Sequence, residues 1–187
     1  MSAKIEHILQ CALAILKESG DQGLTMRRVA DSADMRLSNV QYYFKTKELL
    51  LAALLEGFLV EYAQSMQTLA LPAELDSETK LKQLMAHILN DIEKSDCAVI
   101  FKEIWAIAER NEAVKQSIDD YYTQLHCMLF DGLKQAAADD CKDSQLNSAV
   151  AILLPFIEGY CITSSNLKNS RKKLSEQLAL VLFRLLN

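Results

Sequence analysis

The sequence predicts an all-α protein: a small three-helix head containing a helix-turn-helix, followed by a larger helical body. Three observations carry this expectation. Gly (5) and Pro (2) are scarce among 187 residues, half of which are hydrophobic, so there is core material but little turn punctuation. Apolar residues recur at three-four spacing in successive segments, the period of a helix with one buried face. Finally, Arg27, Arg28, Arg36, Lys45 and Lys47 are opposed between residues 24 and 47 only by Asp31 and Asp34, whereas acidic residues dominate from Glu48 onward. A locally basic segment on an acidic remainder suits an anion-binding head on a helical body.

Ile5, Ile8, Leu9, Ala12, Leu13 and Leu16 form the stripe of a first helix, which stops near Ser19 because Gly20 and Gly23 bracket a turn. Thr25 is placed to cap the second helix, whose inner face is Met26, Val29, Ala30 and Ala33. These mostly small side chains let two short helices cross closely. Asp34 marks the break between them, at a point that calls for a left-handed residue, which Asp tolerates better than most. A short helix from about Leu37 to Phe44 follows. At 100° per residue, Ser38, Gln41, Tyr42 and Lys45 share one face, while Val40 and Phe44 anchor the other and Leu37 and Asn39 flank. A row of hydrogen-bonding groups of mixed reach on an anchored helix is what major-groove recognition requires. Thr46 can cap the next helix, with Glu48 in its first turn and Lys47 beside the free N–H groups that favour a phosphate.

The stretch LTMRRVADSADMRLSNVQYYFKTKELL resembles the DNA-binding signature of the TetR (tetracycline-repressor) family, and ILQCALAILKESGDQG is similar to that family's first helix and turn. Together they cover about residues 5 to 55. The shared features are the T-x-x-x-(V/I)-A core, an aromatic pair before Phe, and Lys shortly before a new helix. The resemblance implies a DNA-binding domain over 1–48 and a ligand-binding and dimerisation domain over 49–187. It implies that Thr25, Tyr42 and Lys47 touch phosphates and that Arg27, Leu37, Ser38, Asn39 and Gln41 face bases. Asp34 replaces the commonest Gly and Arg36 a frequent capping Ser or Thr; Arg36 then becomes available to a phosphate or base.

The body reads as further helices over about Leu49–Leu69, Glu78–Lys94, Ala98–Glu109, Asn111–Ala138, Ser144–Ser165 and Arg171–Leu186. FKEIWAIAERNEAVKQSI is similar, less specifically, to ligand-domain segments of TetR-like regulators. Ala149–Ile157 is wholly apolar, and Leu174, Leu178, Val181, Leu182 and Leu185 form a stripe beyond which Leu180, Phe183 and Leu186 spill. Helices this apolar need burial on more than one side, and in the family they pair with their twofold mates. The sequence therefore points to a homodimer through the last two helices, the alternative being a helix wholly internal to its own chain. For a small-molecule effector the body offers Tyr62, Met66, Phe101, Trp105, Tyr122, His126 and Phe156 as lining, with Tyr121, Phe130 and Tyr160 among the other large side chains. Trp105 is the first choice, since a large ring with one N–H suits a pocket wall.

No Gly-rich phosphate loop, G-x-S-x-G, H-E-x-x-H or cluster of metal ligands is present, and His7, His87 and His126 are scattered; no enzyme, cofactor or metal is expected. The longest uninterrupted apolar stretch falls short of the ~20 residues that span a bilayer, so no membrane partner is expected. Cys11, Cys97, Cys127, Cys141 and Cys161 form no C-x-x-C pair and, with no signal peptide, read as reduced cytoplasmic thiols, a redox-sensing pair being the lesser alternative. The expected function is that of a dimeric repressor released from a palindromic DNA operator by a small molecule. The alternative is a helical protein-interaction module without DNA specificity, which accounts for the acidic body but not for the polar row of the short helix.

Overall fold

The computed structural model describes residues 3–94, 96–166 and 170–187, without the side chains of residues 97, 99 and 100. The described residues form α1 (Ala3–Gly23), α2 (Met26–Ser32), α3 (Leu37–Tyr43), α4 (Lys47–Thr68), α5 (Ser77–Lys94), α6 (Cys97–Ala108), α7 (Glu112–Ala136), α8 (Asp143–Thr163), a 3-10 turn (Ser164–Asn166) and α9 (Arg171–Leu186). No strand occurs among them. Every helix foreseen in the sequence is present, with ends shifted by a residue or two, except that α1 extends past its foreseen stop. That extension is a short turn beyond an interruption at Gly20, whose φ of 62° and ψ of −166° are non-helical.

The chain divides into two compact units. One comprises residues 1–59 and 97–122, the other 60–96 and 123–187. In the first, α2 packs on α1, α3 on α2, and α6 along α1. Ile8, Ala12, Ile15 and Leu16 of α1 meet a core completed by Leu24, Val29, Ala30, Val40 and Phe44, all buried. In the second unit α9 lies against α5 and α8, with Leu81, Leu84, Met85, Ile88 and Leu89 buried on α5 and Leu178, Ala179, Leu182 and Leu186 on α9.

Side-chain caps fix several helix starts. Thr25 Oγ1 accepts from the Arg28 N–H at 3.2 Å, Thr46 Oγ1 from Leu49 at 3.3 Å, and Asp76 Oδ1 from Thr79 at 2.9 Å. Asn111 Oδ1 accepts from both Ala113 and Val114, at 3.1 and 3.2 Å. Each such cap stabilises its helix by about 1 kcal/mol. In the second unit Glu93 joins three helices: its carboxylate accepts from the Tyr160 hydroxyl at 2.5 Å and pairs with Arg171 at 2.7 Å. Burial, then the bond to Glu93, pushes the Tyr160 phenol up to about 12.

Two expectations are corrected here. Leu178 and Leu182 do not form a face left open for a partner; both are buried within their own chain, where α9 packs most extensively on α5. The apolar side chains that α8 and α9 leave exposed are Ile152, Ile162, Leu180 and Val181. Cys11, Cys127 and Cys141 are free thiols, but Cys161 is disulfide-bonded, because chain spacing says nothing about which cysteines a fold brings together. Lys47–Thr68 and Asp143–Asn166 are each long and apolar enough, by composition alone, to cross a bilayer, although no uninterrupted apolar run is. Core helices of globular proteins meet the same criterion.

Candidate nucleic-acid interface

The helix-turn-helix is built by local chemistry. With its N-cap bond made, the Thr25 hydroxyl still has its own proton to donate outward. Asp34 adopts the left-handed conformation (φ 52°) that the break between α2 and α3 requires. The Met35 N–H returns to the Ala30 carbonyl at 2.9 Å, closing the turn. Arg36 stands at the α3 N-cap position without making a side-chain cap bond. Val40 and Phe44 are buried and pin α3 from behind.

This leaves Leu37, Ser38, Asn39, Gln41 and Tyr42 of α3 exposed together, with Lys45 just beyond. Tyr42 is 80% exposed and its ring meets Tyr43 edge-on at 5.2 Å, which braces the phenol without covering its hydroxyl. Such a surface has donors and acceptors for base edges, a leucine for thymine methyls and a phenol long enough for the backbone.

The basic residues are not equivalent. Arg27, Arg36 and Lys45 are exposed and have no ion-pair partner among the described residues. Arg28 is tied to Glu18 of α1 at 2.7 Å. Lys47, a candidate phosphate ligand, is held inside the unit: its Nζ lies 2.5 Å from Asp21 Oδ1 and donates to the Asp21 carbonyl at 2.7 Å. The Asp21 N–H in turn donates to Glu103 Oε2 of α6 at 2.9 Å. Asn111 Nδ2 donates to Glu48 Oε1 at 3.2 Å, and the backbone and Thr46 bonds at the start of α4 hold the Glu48 carboxyl below its ordinary value of 4.5. None of these partners was foreseen in the sequence. They lie 26, 82 and 63 residues apart.

The candidate ligand residues fall in both units. In the first, Phe101 is buried against Tyr121, with ring centroids 5.2 Å apart, while Trp105 is half-exposed and meets Tyr122 edge-on at 6.2 Å. Trp105, Arg110, Lys115, Ile118 and Tyr122 line an open groove of about 510 Å³. In the second unit, Met66 lies 3.4 Å from where a side chain on Gly132 would begin, His126 is half-buried, and Phe156 stacks on Tyr160 at 6.1 Å. The Tyr62 hydroxyl is buried with no hydrogen-bond partner among the described residues. Burial, then the charge of Asp91, pushes that phenol well above the ordinary tyrosine value. Nearby in sequence, Ser65 donates to Asp91 Oδ2, and His87 Nε2 lies 2.8 Å from Ser65 Oγ. Sequence reasoning missed this Ser65–His87–Asp91 cluster, although His87 and Asp91 are one helical turn apart.

No protein-family model matches the chain. An uncharacterized HTH-type transcriptional regulator in the dhlA 5′ region of Xanthobacter autotrophicus is 38% identical over 182 residues, 95% of this chain and 87% of that protein. A TetR transcription regulator from Haloarcula marismortui shares the fold over its whole length, with a TM-score of 0.74, 24% identity and coverage of 100% and 99% of the two chains. The chain belongs to the HTH-type transcriptional regulators and has the fold of the TetR family. FadR from Bacillus subtilis, solved in complex with stearoyl-CoA, has the same fold, with a TM-score of 0.70, 16% identity and coverage of 97% and 99%. The Xanthobacter and Haloarcula proteins are regulators of transcription, not enzymes, and the helix-turn-helix of this chain is the DNA-binding element of that class.

Proposed function

We propose that this regulator is a cytoplasmic repressor that binds a palindromic operator as a homodimer and leaves it when a small molecule binds. The observation that carries the DNA reading is the exposed row of Leu37, Ser38, Asn39, Gln41 and Tyr42 on a helix anchored by Val40 and Phe44. Gln41, Asn39, Ser38 and Leu37, with Arg27, then read base edges. Thr25, Tyr42, Lys47 and Arg36 engage the backbone. Residues 1–48 act as the DNA-binding domain, and 49–187 hold the effector and the dimer contact.

The dimer reading is supported by α8 and α9, which leave Ile152, Ile162, Leu180 and Val181 exposed. On α8 the exposed positions Ala151, Ile152, Pro155, Gly159 and Ile162 follow one helical stripe, and a Cβ at Gly159 would meet nothing within 4 Å. Small residues between the two isoleucines let a second α8 approach closely. For an effector, the supports are the buried, unpartnered Tyr62 hydroxyl and the aromatic lining candidates, together with the stearoyl-CoA complex of FadR. Linkage makes this testable: an effector that weakens operator binding by some factor must itself bind the operator complex more weakly by the same factor. Calorimetric titration of candidate ligands, with and without operator, measures both. Equal ligand affinity in the two titrations would remove that compound as the inducer.

A further inference from the structure

The residue that family resemblance assigns to a phosphate is already occupied. Lys47 is 27% exposed and Asp21 40% exposed; their ion pair at 2.5 Å is backed by the bond from Nζ to the Asp21 carbonyl. Asp21 is itself held. It follows Gly20, whose positive φ turns the chain after the main run of α1, and its N–H donates to Glu103 on α6. The Glu103 carboxylate is packed so closely on this turn that a Cβ at Gly20 would lie 3.1 Å from Glu103 Oε2. Gly20 therefore serves both the left-handed turn and the approach of α6. The result is a chain of contacts from α6, through Glu103 and Asp21, to the ammonium at the first residue of α4.

From this geometry we infer that Asp21 is an internal competitor for the DNA phosphate at Lys47, and that Glu103 of α6 is the positioning residue that keeps it there. The inference rests on the reading of Lys47 as a phosphate ligand. A pair this exposed is weak, so a phosphate can displace it. The exchange makes DNA binding weaker than it would be with a free lysine. It also ties the availability of Lys47 to the seating of α6 on the Gly20 turn. Arg28, paired with Glu18 on the same head, is a second tied cation, but among the described residues it has no such connection to α6.

The test compares the full-length protein with Asp21→Asn, Glu103→Ala, Lys47→Ala and the double variant Asp21→Asn/Lys47→Ala. Each is measured on non-specific duplex DNA over a salt series, with circular dichroism to confirm folding. Asp21→Asn keeps the side-chain shape and is expected to bind about two- to fivefold more tightly, with a steeper salt dependence. Glu103→Ala is expected to give part of that gain, because Asp21 is no longer held. The gain must vanish when Lys47 is absent, since a double-mutant cycle isolates the interaction of the pair. If Asp21→Asn gains equally with Lys47→Ala, the effect is general charge and the inference is overturned. Unchanged affinity for Glu103→Ala would overturn the role of α6. If Lys47→Ala alone binds as tightly as the parent, the phosphate reading of Lys47 fails instead, whatever Asp21 does.

Discussion

Ile152→Asp and Val181→Asp should each convert the proposed dimer to monomer while leaving the fold intact. The two side chains are 47% and 52% exposed within the chain, so burying the remainder of each contributes about 1 kcal/mol, half the ~1.5–3 kcal/mol of a whole aliphatic side chain. The Gln145 side chain donates to the Leu186 carbonyl at 3.3 Å and fixes the start of α8 to the end of α9. At ~1.5 Å per residue, Ile152 lies ~10 Å along α8 from that bond and Val181 ~8 Å back along α9. The two positions are therefore at nearly the same level. In a twofold interface each substitution appears twice. Lost burial then amounts to about 2 kcal/mol, and two carboxylates brought together without cations add at least as much. A loss of ~4 kcal/mol weakens dimerisation about a thousandfold. Sedimentation equilibrium over a wide concentration range reads this directly, with thermal melts as the control. Leu178→Asp and Leu182→Asp would also yield monomers or aggregates, but by unfolding the α5–α9 core. An Ile152→Asp/Val181→Asp protein with the parent's dimer constant would refute the assignment of this face, as would a parent that sediments as a well-folded monomer.

Other consequences follow from single residues. Gln41→Ala should change which operator variant is preferred, at about 1–3 kcal/mol per disturbed base contact. Tyr42→Phe should weaken all sequences alike and leave stability unchanged, because its hydroxyl end is free of the protein; competition profiles across operator variants separate the two. Asp34→Gly should raise stability by roughly 1 kcal/mol, since it removes left-handed strain at φ 52°, and should raise the melting temperature by about 2–4 °C. Because the Tyr160 phenol is pushed up to about 12 in the folded state, the stability it contributes is fully present below its ordinary value of 10 and is lost as pH rises toward 12. Tyr160→Phe should therefore flatten the alkaline limb of an unfolding profile, and an unchanged limb would mean that ionisation of the buried Tyr160 phenol is not what weakens the fold at high pH.

What was legible in the sequence is what short-range chemistry encodes. The Thr25 cap, the left-handed Asp34 and the opposition of Val40 and Phe44 to Ser38, Gln41 and Tyr42 are each settled within a few residues, so the helix-turn-helix itself was readable. Periodicity marked Leu178 and Leu182 as buried but could not say against what. α5 carries its own stripe at Leu81, Leu84, Met85, Ile88 and Leu89, and only the tertiary fold decides that the two stripes meet. The engagement of Lys47 was invisible for a related reason: a lysine at a helix start carries no sign of an aspartate 26 residues earlier. Nor does Glu103 announce that it will sit over a glycine turn in α1. The open Trp105 groove and the buried Tyr62 hydroxyl likewise depend on which helices meet, and aromatic identity alone could not separate them from core.

The measurement closest to the central claim is a footprint of the purified protein on the DNA adjoining its own coding region, repeated with Gln41→Ala and Tyr42→Phe. A protected pseudo-palindrome whose half-site centres lie about one helical turn, ~34–36 Å, or a multiple of it apart is the predicted result. It should be bound by an even number of protomers, altered in sequence preference by Gln41→Ala and uniformly weakened by Tyr42→Phe. Protection that tracks salt but not sequence, or that is indifferent to both substitutions, would contradict the assignment of the α3 face as the reader of an operator.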